Sequence, residues 1–292
     1  MSDNAPSHLV IAYIDRLLDS ATTVTGFSWD GLNPVANLTT NKFSQTANAI
    51  ANNSAVAVDF GSSKSIEVLA LPRHTLSTNG TWRVRVSTDV TLLTDPASVD
   101  LGDIVYDSGV VNVWPSLDSY TTVPYEEYSI WAAELVNVHN PPGVLWLPRG
   151  TEAQYMYVDF SDPDADDYTI GKLFAGPYWQ PENGVSRGWS TQYISPTKPK
   201  RLEGGLVTTE PSNRYRRIEY DCKFIPEDDV FTEAAIIDRE YALNVPFVSI
   251  IDPSDSKNAH RVFIYGTNSK IHASINTSYG YYSKKFTIDE WL

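Results

Sequence analysis

The run Val56-Ala57-Val58-Asp59-Phe60-Gly61 is followed by Ser65-Ile66-Glu67-Val68-Leu69-Ala70-Leu71-Pro72-Arg73-His74 and then by Thr81-Trp82-Arg83-Val84-Arg85-Val86. In all three runs apolar and polar residues alternate. That period puts every second side chain on one face, as a half-buried antiparallel sheet needs. Gly61, Ser62 and Ser63 break the first run from the second; Ser77, Asn79 and Gly80 break the second from the third. In the third run Trp82, Val84 and Val86 share one face, which is expected to be buried between two sheets. Arg83 and Arg85 share the other.

The order of a strand ending in Asp-Phe-Gly, a Val- and Leu-rich strand, a polar turn and Trp-Arg-Val-Arg resembles the middle of a galactose-binding, discoidin-like jelly roll. More narrowly, it is similar to the version found in tailed-bacteriophage structural proteins. There a Pro-x-x-Asn-Leu segment and a polar loop precede the first strand. Here that segment reads Asn33-Pro34-Val35-Ala36-Asn37-Leu38, and Phe43 stands where the family has an aromatic, often Trp. Ile170-Gly171-Lys172-Leu173-Phe174-Ala175-Gly176-Pro177-Tyr178-Trp179-Gln180-Pro181 is similar to a second recurrent segment of those virion proteins.

The matched segments span about half the chain. The resemblance implies a mainly β fold: a discoidin-like jelly-roll β-sandwich over residues 1–200 with an insertion at about 88–150, and a small C-terminal α+β extension over 201–292. It also implies a non-enzymatic structural component of a phage particle, in the tail tip or baseplate, whose partners are other virion tail proteins and copies of itself. No fixed-period repeat or low-complexity linker marks a sharp boundary near residue 200.

Around this centre the chain reads as follows. Leu9, Ile14, Leu17 and Leu18 suggest a helix, but the resemblance implies an extended entry strand followed by irregular chain, which Thr22-Thr23-Val24-Thr25 fits better. Residues 26–55 form a long loop rich in Asn, Ser and Thr, of the kind that carries function or an interface. Within 88–150, Asp-Pro, Asp-Ser-Gly and Asn-Pro-Pro-Gly breakers separate short apolar runs, with a helical turn expected at 130–135. Gln154 to Phe160 and Tyr168 to Ala175 read as a strand pair joined by Asp162-Pro163-Asp164-Ala165-Asp166-Asp167, expected to be a solvated tip.

Tyr178 to Pro211 is too rich in Pro and Gly for a central strand and reads as a projecting loop or hairpin. Arg214 to Phe224 alternates as a strand. Pro226 to Tyr241 is the best helix candidate. Val230, Ala234, Ile237 and Tyr241 recur at helical spacing, and Asp228 and Asp229 favour the positive end of the helix dipole. Strands are expected again at Phe247 to Pro253, Arg261 to Gly266 and Tyr281 to Ile288.

A chain of 292 residues buries about 75% of its unfolded surface and needs no disulfide or metal to hold it together. With 17 Tyr, 10 Phe and 8 Trp, the composition favours strands. The formal net charge of −14 argues against a nucleic-acid partner, which calls for a basic patch. The basic clusters Lys198-Pro199-Lys200-Arg201 and Arg214-Tyr215-Arg216-Arg217 read as charged faces of exposed strands and loops.

Cys222, the single cysteine, sits in an alternating run and is expected to be a buried small hydrophobe. Met1 to His8 lacks the features of a signal peptide, and Leu9 to Ile14 is too short to span a bilayer. The expectation is synthesis in a host cytoplasm without secretion or membrane insertion, and residence in the virion tail.

The search for chemistry gives little. Asp162-x-Asp164-x-Asp166 imitates the start of an EF-hand loop, but Asp167 stands where Gly is needed and Leu173 where a bidentate Glu is needed. These three carboxylates remain a weak candidate for a hard cation. His8, His74, His139, His260 and His272 form no metal pair, and no Gly-x-Ser-x-Gly elbow is present. For His74, at a strand end, the resemblance implies a bond to loop backbone. No cofactor is implied. Tyr178, Trp179, Trp189 and Tyr193 are the remaining candidates. Such rings are flat apolar faces for a glycan or anchors for a subunit interface, and buried core or a subunit interface is the stronger of these uses. Lys198, Lys200 and Arg201 in the same segment could pair an acidic neighbour, such as a second copy. The runner-up to the structural role is a carbohydrate-binding adhesion module contacting host surface glycan.

Overall fold

The computed structural model describes residues 4–100, 102–114, 141–186, 188–196, 199–201, 207–209, 213–241, 243–255 and 259–291. The helical turn expected at 130–135, and Lys198, lie outside the described residues. In chain order the first strands are β1 (Val10–Ala12), β2 (Thr23–Phe27), β3 (Ala47–Ala49), β4 (Asn53–Ser65), β5 (Val68–His74), β6 (Thr81–Ser87), β7 (Ile104–Asp107), β8 (Val111–Asn112), β9 (Gly143–Trp146) and β10 (Glu152–Ser161). The remainder are β11 (Tyr168–Gly176), β12 (Ser190–Ile194), β13 (Pro199–Arg201), β14 (Val207–Thr209), β15 (Tyr215–Pro226), β16 (Phe247–Ile250), β17 (Phe263–Asn268), β18 (Ile275–Ser278) and β19 (Tyr281–Glu290).

The chain divides into two compact units, one of Met1–Gln180 with Phe247–Phe263, the other of Pro181–Pro246 with Ile264–Leu292. The expected division at residue 200 therefore differs from the one observed. The first unit takes back a later segment because β1 pairs antiparallel with β16, Val10 opposite Ile250 and Ala12 opposite Val248.

The first unit is a sandwich of antiparallel sheets. One sheet runs β2-β4-β10-β6-β7, with β8 also on β6; the other runs β3-β11-β5-β9. Consecutive strands change sheet: β4 and β6 lie in the first, on either side of β10, while β5 lies in the second. The alternation of the sequence sets the inward faces. Val56, Val58 and Phe60, then Trp82, Val84 and Val86, then Met156, Val158 and Phe160 meet Leu69, Leu71, Leu173 and Ala175 in one buried core. Trp82 stacks on Phe160, its cross-strand partner, at 6.4 Å between ring centroids.

Two sequence expectations change here. Gly61 does not end a strand: β4 continues through it to Ser65, with Gly61 at φ 73° where the ladder to β10 slips register. Such a bulge needs the left-handed freedom of glycine. Nor are the described parts of 88–150 a simple insertion. β7 and β8 pair with β6, and β9 pairs with β5, so this segment completes both sheets. Leu92 and Val99 also cover the outer face of the first sheet, against Ala55, Ala57 and Tyr157. On that face Arg85 reaches Asp159 at 2.6 Å and lies over the Tyr157 ring. Arg83 grips Asp107 through two nitrogens.

The second unit holds β17-β19-β15-β12 in that order, with β18 on β19, and the ribbon β13–β14. The expected helix is present as a turn at Glu227–Asp229 continued by wide π-type turns at Val230–Ala234 and Ile237–Tyr241. Val230, Ala234 and Ile237 are buried, as their spacing requires. Tyr220 stacks on Phe286 at 5.3 Å. Cys222 is buried, and that burial pushes its thiol far above the ordinary range, so it is inert as a nucleophile. Lys284, also buried, pairs with Asp238.

Candidate functional site

At one end of the second sandwich sheet, the ends of three segments bring an aromatic ring, a guanidinium and a carboxylate together. Gly176 ends β11 so close to the chain after β1 that an added Cβ would lie 1.9 Å from the Ile14 carbonyl oxygen. Only glycine allows that exit. Two residues on, Tyr178 is half-buried, with Trp146 edge-on at 5.5 Å and the Arg149 guanidinium 5.2 Å from its ring centroid.

Arg149 sits in the turn Pro148–Thr151, closed by the Thr151 hydroxyl donating to the Pro148 carbonyl at 2.7 Å. The Gly150 N–H donates to Glu67 Oε1 at 2.8 Å. Glu67 is fixed in turn by its own N–H to the Gly176 carbonyl and by the Leu147 N–H to its carbonyl, both at 2.9 Å. Burial raises the Tyr178 hydroxyl pKa; Arg149 opposes that and Glu67 adds to it.

The ring supplies a flat apolar surface, Arg149 a planar fork of donors and Glu67 acceptors. A half-buried Tyr with a raised pKa is a neutral hydrogen-bonding group at pH 7. The residues that complete the cluster, Glu67, Trp146 and Arg149, belong to no sequence motif that would point to them.

The other ring candidates are dispersed. Trp179 is 7% exposed, and its backbone exchanges hydrogen bonds with Ile11 in both directions, at 2.9 and 2.8 Å. It is core, not a projecting anchor, because the chain leaving β11 runs alongside β1 before it departs. Trp189 and Tyr193 belong to the second unit, where β12 is the last strand of its sheet, paired only with β15 among the described strands. Tyr193 is 69% exposed there.

The acidic turn is not simply a solvated tip. Asp162 is fully buried. Its two oxygens accept from the Ser77 N–H and hydroxyl, each at 2.6 Å, and from the Asp164 N–H at 3.1 Å. Asp164 accepts from the Asn79 side chain at 2.7 Å, while Asp166 lies exposed. The first two carboxylates are thus committed to clamping the β5–β6 turn onto the β10–β11 turn. Among the described residues no group of three His, Cys, Asp or Glu side chains could hold a metal ion.

Nearby, Tyr168 and Ser54 share a hydrogen bond at 2.5 Å, and burial pushes the Tyr168 hydroxyl up to about 12. His74 bonds the Pro141 carbonyl at 2.9 Å, loop backbone as expected, and desolvation lowers its pKa to about 4. A groove of about 350 Å³ lies beside Leu17, Asp19 and Thr22, but Asp19 there faces Arg16 and Lys64 at 3.7 and 3.6 Å.

No family model matches the sequence, and no curated protein matches it either. Solved structures do. The family 32 CBM from Clostridium perfringens NanJ in complex with galactose is 12% identical, with a TM-score of 0.36, over 58% of this chain and 99% of that one. A chitosan-binding module derived from a Paenibacillus chitosanase/glucanase is 12% identical, with a TM-score of 0.36, over 56% and 100%. A Streptococcus pneumoniae fucose binding module is 9% identical, with a TM-score of 0.35, over 57% and 99%.

Proposed function

We propose that the chain is a non-catalytic carbohydrate-binding module, and that its first unit holds a glycan at Tyr178, Arg149 and Glu67. The observation that carries this is the convergence on one half-buried ring of the Arg149 donor fork, stacked over it, and the Glu67 carboxylate, held by a backbone N–H. Sugars present C–H faces and hydroxyl edges, and this cluster offers a partner to each. The test is a glycan array probed with the full chain, repeated with Arg149→Ala and Tyr178→Ala. Binding by wild type and its loss in both variants is expected. Arg149→Ala, a surface change, leaves stability within about 0.5 kcal/mol. Failure of wild type to bind any glycan, or retention by both variants, overturns the reading.

A second reading is a structural role in a phage tail tip or baseplate, through contacts with other tail proteins and with copies of this chain. The observation favouring it is β12, a terminal strand carrying exposed Tyr193 with Trp189 just before it. Strand edges template pairing with another chain, and exposed aromatics anchor interfaces. Sedimentation of wild type beside Trp189→Ala and Tyr193→Ala tests it. Self-association lost in the variants supports the role; a monomer at all concentrations removes the homo-oligomer.

A further inference from the structure

The second unit contains a strained aromatic that burial does not explain. β15 slips register against β19 between Cys222 and Ile225, and within that bulge Phe224 has φ 56°. A bulky side chain in the left-handed region is an outlier that the surrounding structure must impose. The ring is nevertheless 53% exposed. It meets the edge of Tyr281 at 6.4 Å, and Tyr281 is itself 41% exposed. Tyr279, fully exposed, lies two residues before Tyr281, in the turn between β18 and β19.

The frame under these rings is fixed. Asn183 Nδ2 donates to the Phe224 carbonyl at 3.1 Å. The Glu227 N–H donates to the Gly280 carbonyl at 3.1 Å, tying the start of the helical stretch to the turn that carries Tyr279. That start is acidic. Asp221, Glu227, Asp228 and Asp229 stand against Lys223 alone in residues 221–230. Glu227 and Asp228 make no ion pair among the described residues.

Aromatic faces carry negative potential and attract guanidinium or ammonium groups. Unpaired carboxylates at the rim do the same, on a chain of net charge −14. We infer that Phe224, Tyr279 and Tyr281, rimmed by Glu227 and Asp228, form a docking surface for an Arg- and Lys-rich segment of another protein. This surface belongs to the second unit, and the inference does not depend on the glycan reading. A second copy of the same acidic chain is a poor occupant on charge grounds.

The test is fluorescence anisotropy of a labelled Gly/Arg peptide titrated with the full chain, with a Gly/Glu peptide of equal length as control. Wild type should bind the cationic peptide alone, and more weakly as salt rises. Phe224→Gly should weaken binding by about tenfold while melting no lower than wild type, because glycine relieves the backbone and removes only an exposed ring. The double variant Tyr279→Ala with Tyr281→Ala should lose binding to a similar extent. Asp228→Asn should weaken it, and Asp100→Asn, an exposed carboxylate of the first unit, should not. The inference is overturned by absence of binding, by equal effects of Asp228→Asn and Asp100→Asn, or by wild-type affinity in both aromatic variants.

Discussion

Lys172 Nζ lies 2.6 Å from Asp15 Oδ2, and both side chains are shut away from solvent. The pair joins β11 to the turn after β1, where Asp15 also accepts the Leu17 N–H at 3.1 Å. A buried ion pair adds little net stability, since desolvation offsets attraction, but breaking it strands a charge. Lys172→Met is therefore expected to cost about 3–5 kcal/mol. Adding Asp15→Asn, which keeps the turn's hydrogen bond, should restore most of that loss. Urea unfolding of the two variants checks it. A double variant as unstable as the single one would mean the cost is packing rather than charge.

Trp82→Ala removes a fully buried indole of the sandwich core, stacked on Phe160. The expected loss is about 3–5 kcal/mol, a large share of a typical domain's stability. Thermal denaturation followed by near-UV circular dichroism reads it directly. An unshifted transition would remove β6 from the centre of the fold.

His74 gives a pH dependence of known sign. Its folded pKa is about 4, against 6.5 unfolded, because burial disfavours the charged ring. Between those values the unfolded chain binds a proton that the folded chain does not, so stability rises with pH. The contribution is complete above pH 6.5 and is lost as pH falls toward 4. It amounts to about 3 kcal/mol. In His74→Gln the slope of stability against pH across this window should flatten relative to wild type. Parallel slopes would show that other groups carry the dependence.

Asp162 is expected to stabilise without metal. Asp162→Ala leaves the part-buried Ser77 N–H and hydroxyl without their acceptor, at a cost of about 1–3 kcal/mol. Melting temperatures of wild type with calcium and with chelator should coincide. A chelator-induced drop abolished by Asp164→Ala would reinstate a cation at this turn.

Much of the sandwich is legible in local pattern, because period two states which residues share a face. Trp82, Val84 and Val86 turn inward, and Arg83 and Arg85 outward to acidic partners. The same pattern is silent on which sheet receives each strand. β10, far along the chain, separates β4 from β6, and only long-range packing fixes that. The Pro- and Gly-rich surroundings of Trp179 do not decide between core and projecting interface, since its pairing with Ile11 is a backbone matter that composition does not carry.

The Tyr178 cluster was visible only as a lone ring. Glu67 and Arg149 join it through strand ends distant in sequence, with no spacing to betray them. Phe224 defies its own backbone preference, so sequence propensity points away from its conformation.

The return of residues 247–263 to the first unit bears on how the chain is made. β1 leaves the ribosome early, but its partner β16 follows only after residues 181–246 have been added. At about 5–20 residues per second, the wait from residue 12 to residue 247 is on the order of 12 to 47 s. During it the buried residues Leu9, Val10 and Ile11 have no β16 to cover them. A fragment cut at residue 200 would hold that nascent condition permanently, and in cells such a fragment becomes a substrate for chaperones and proteases.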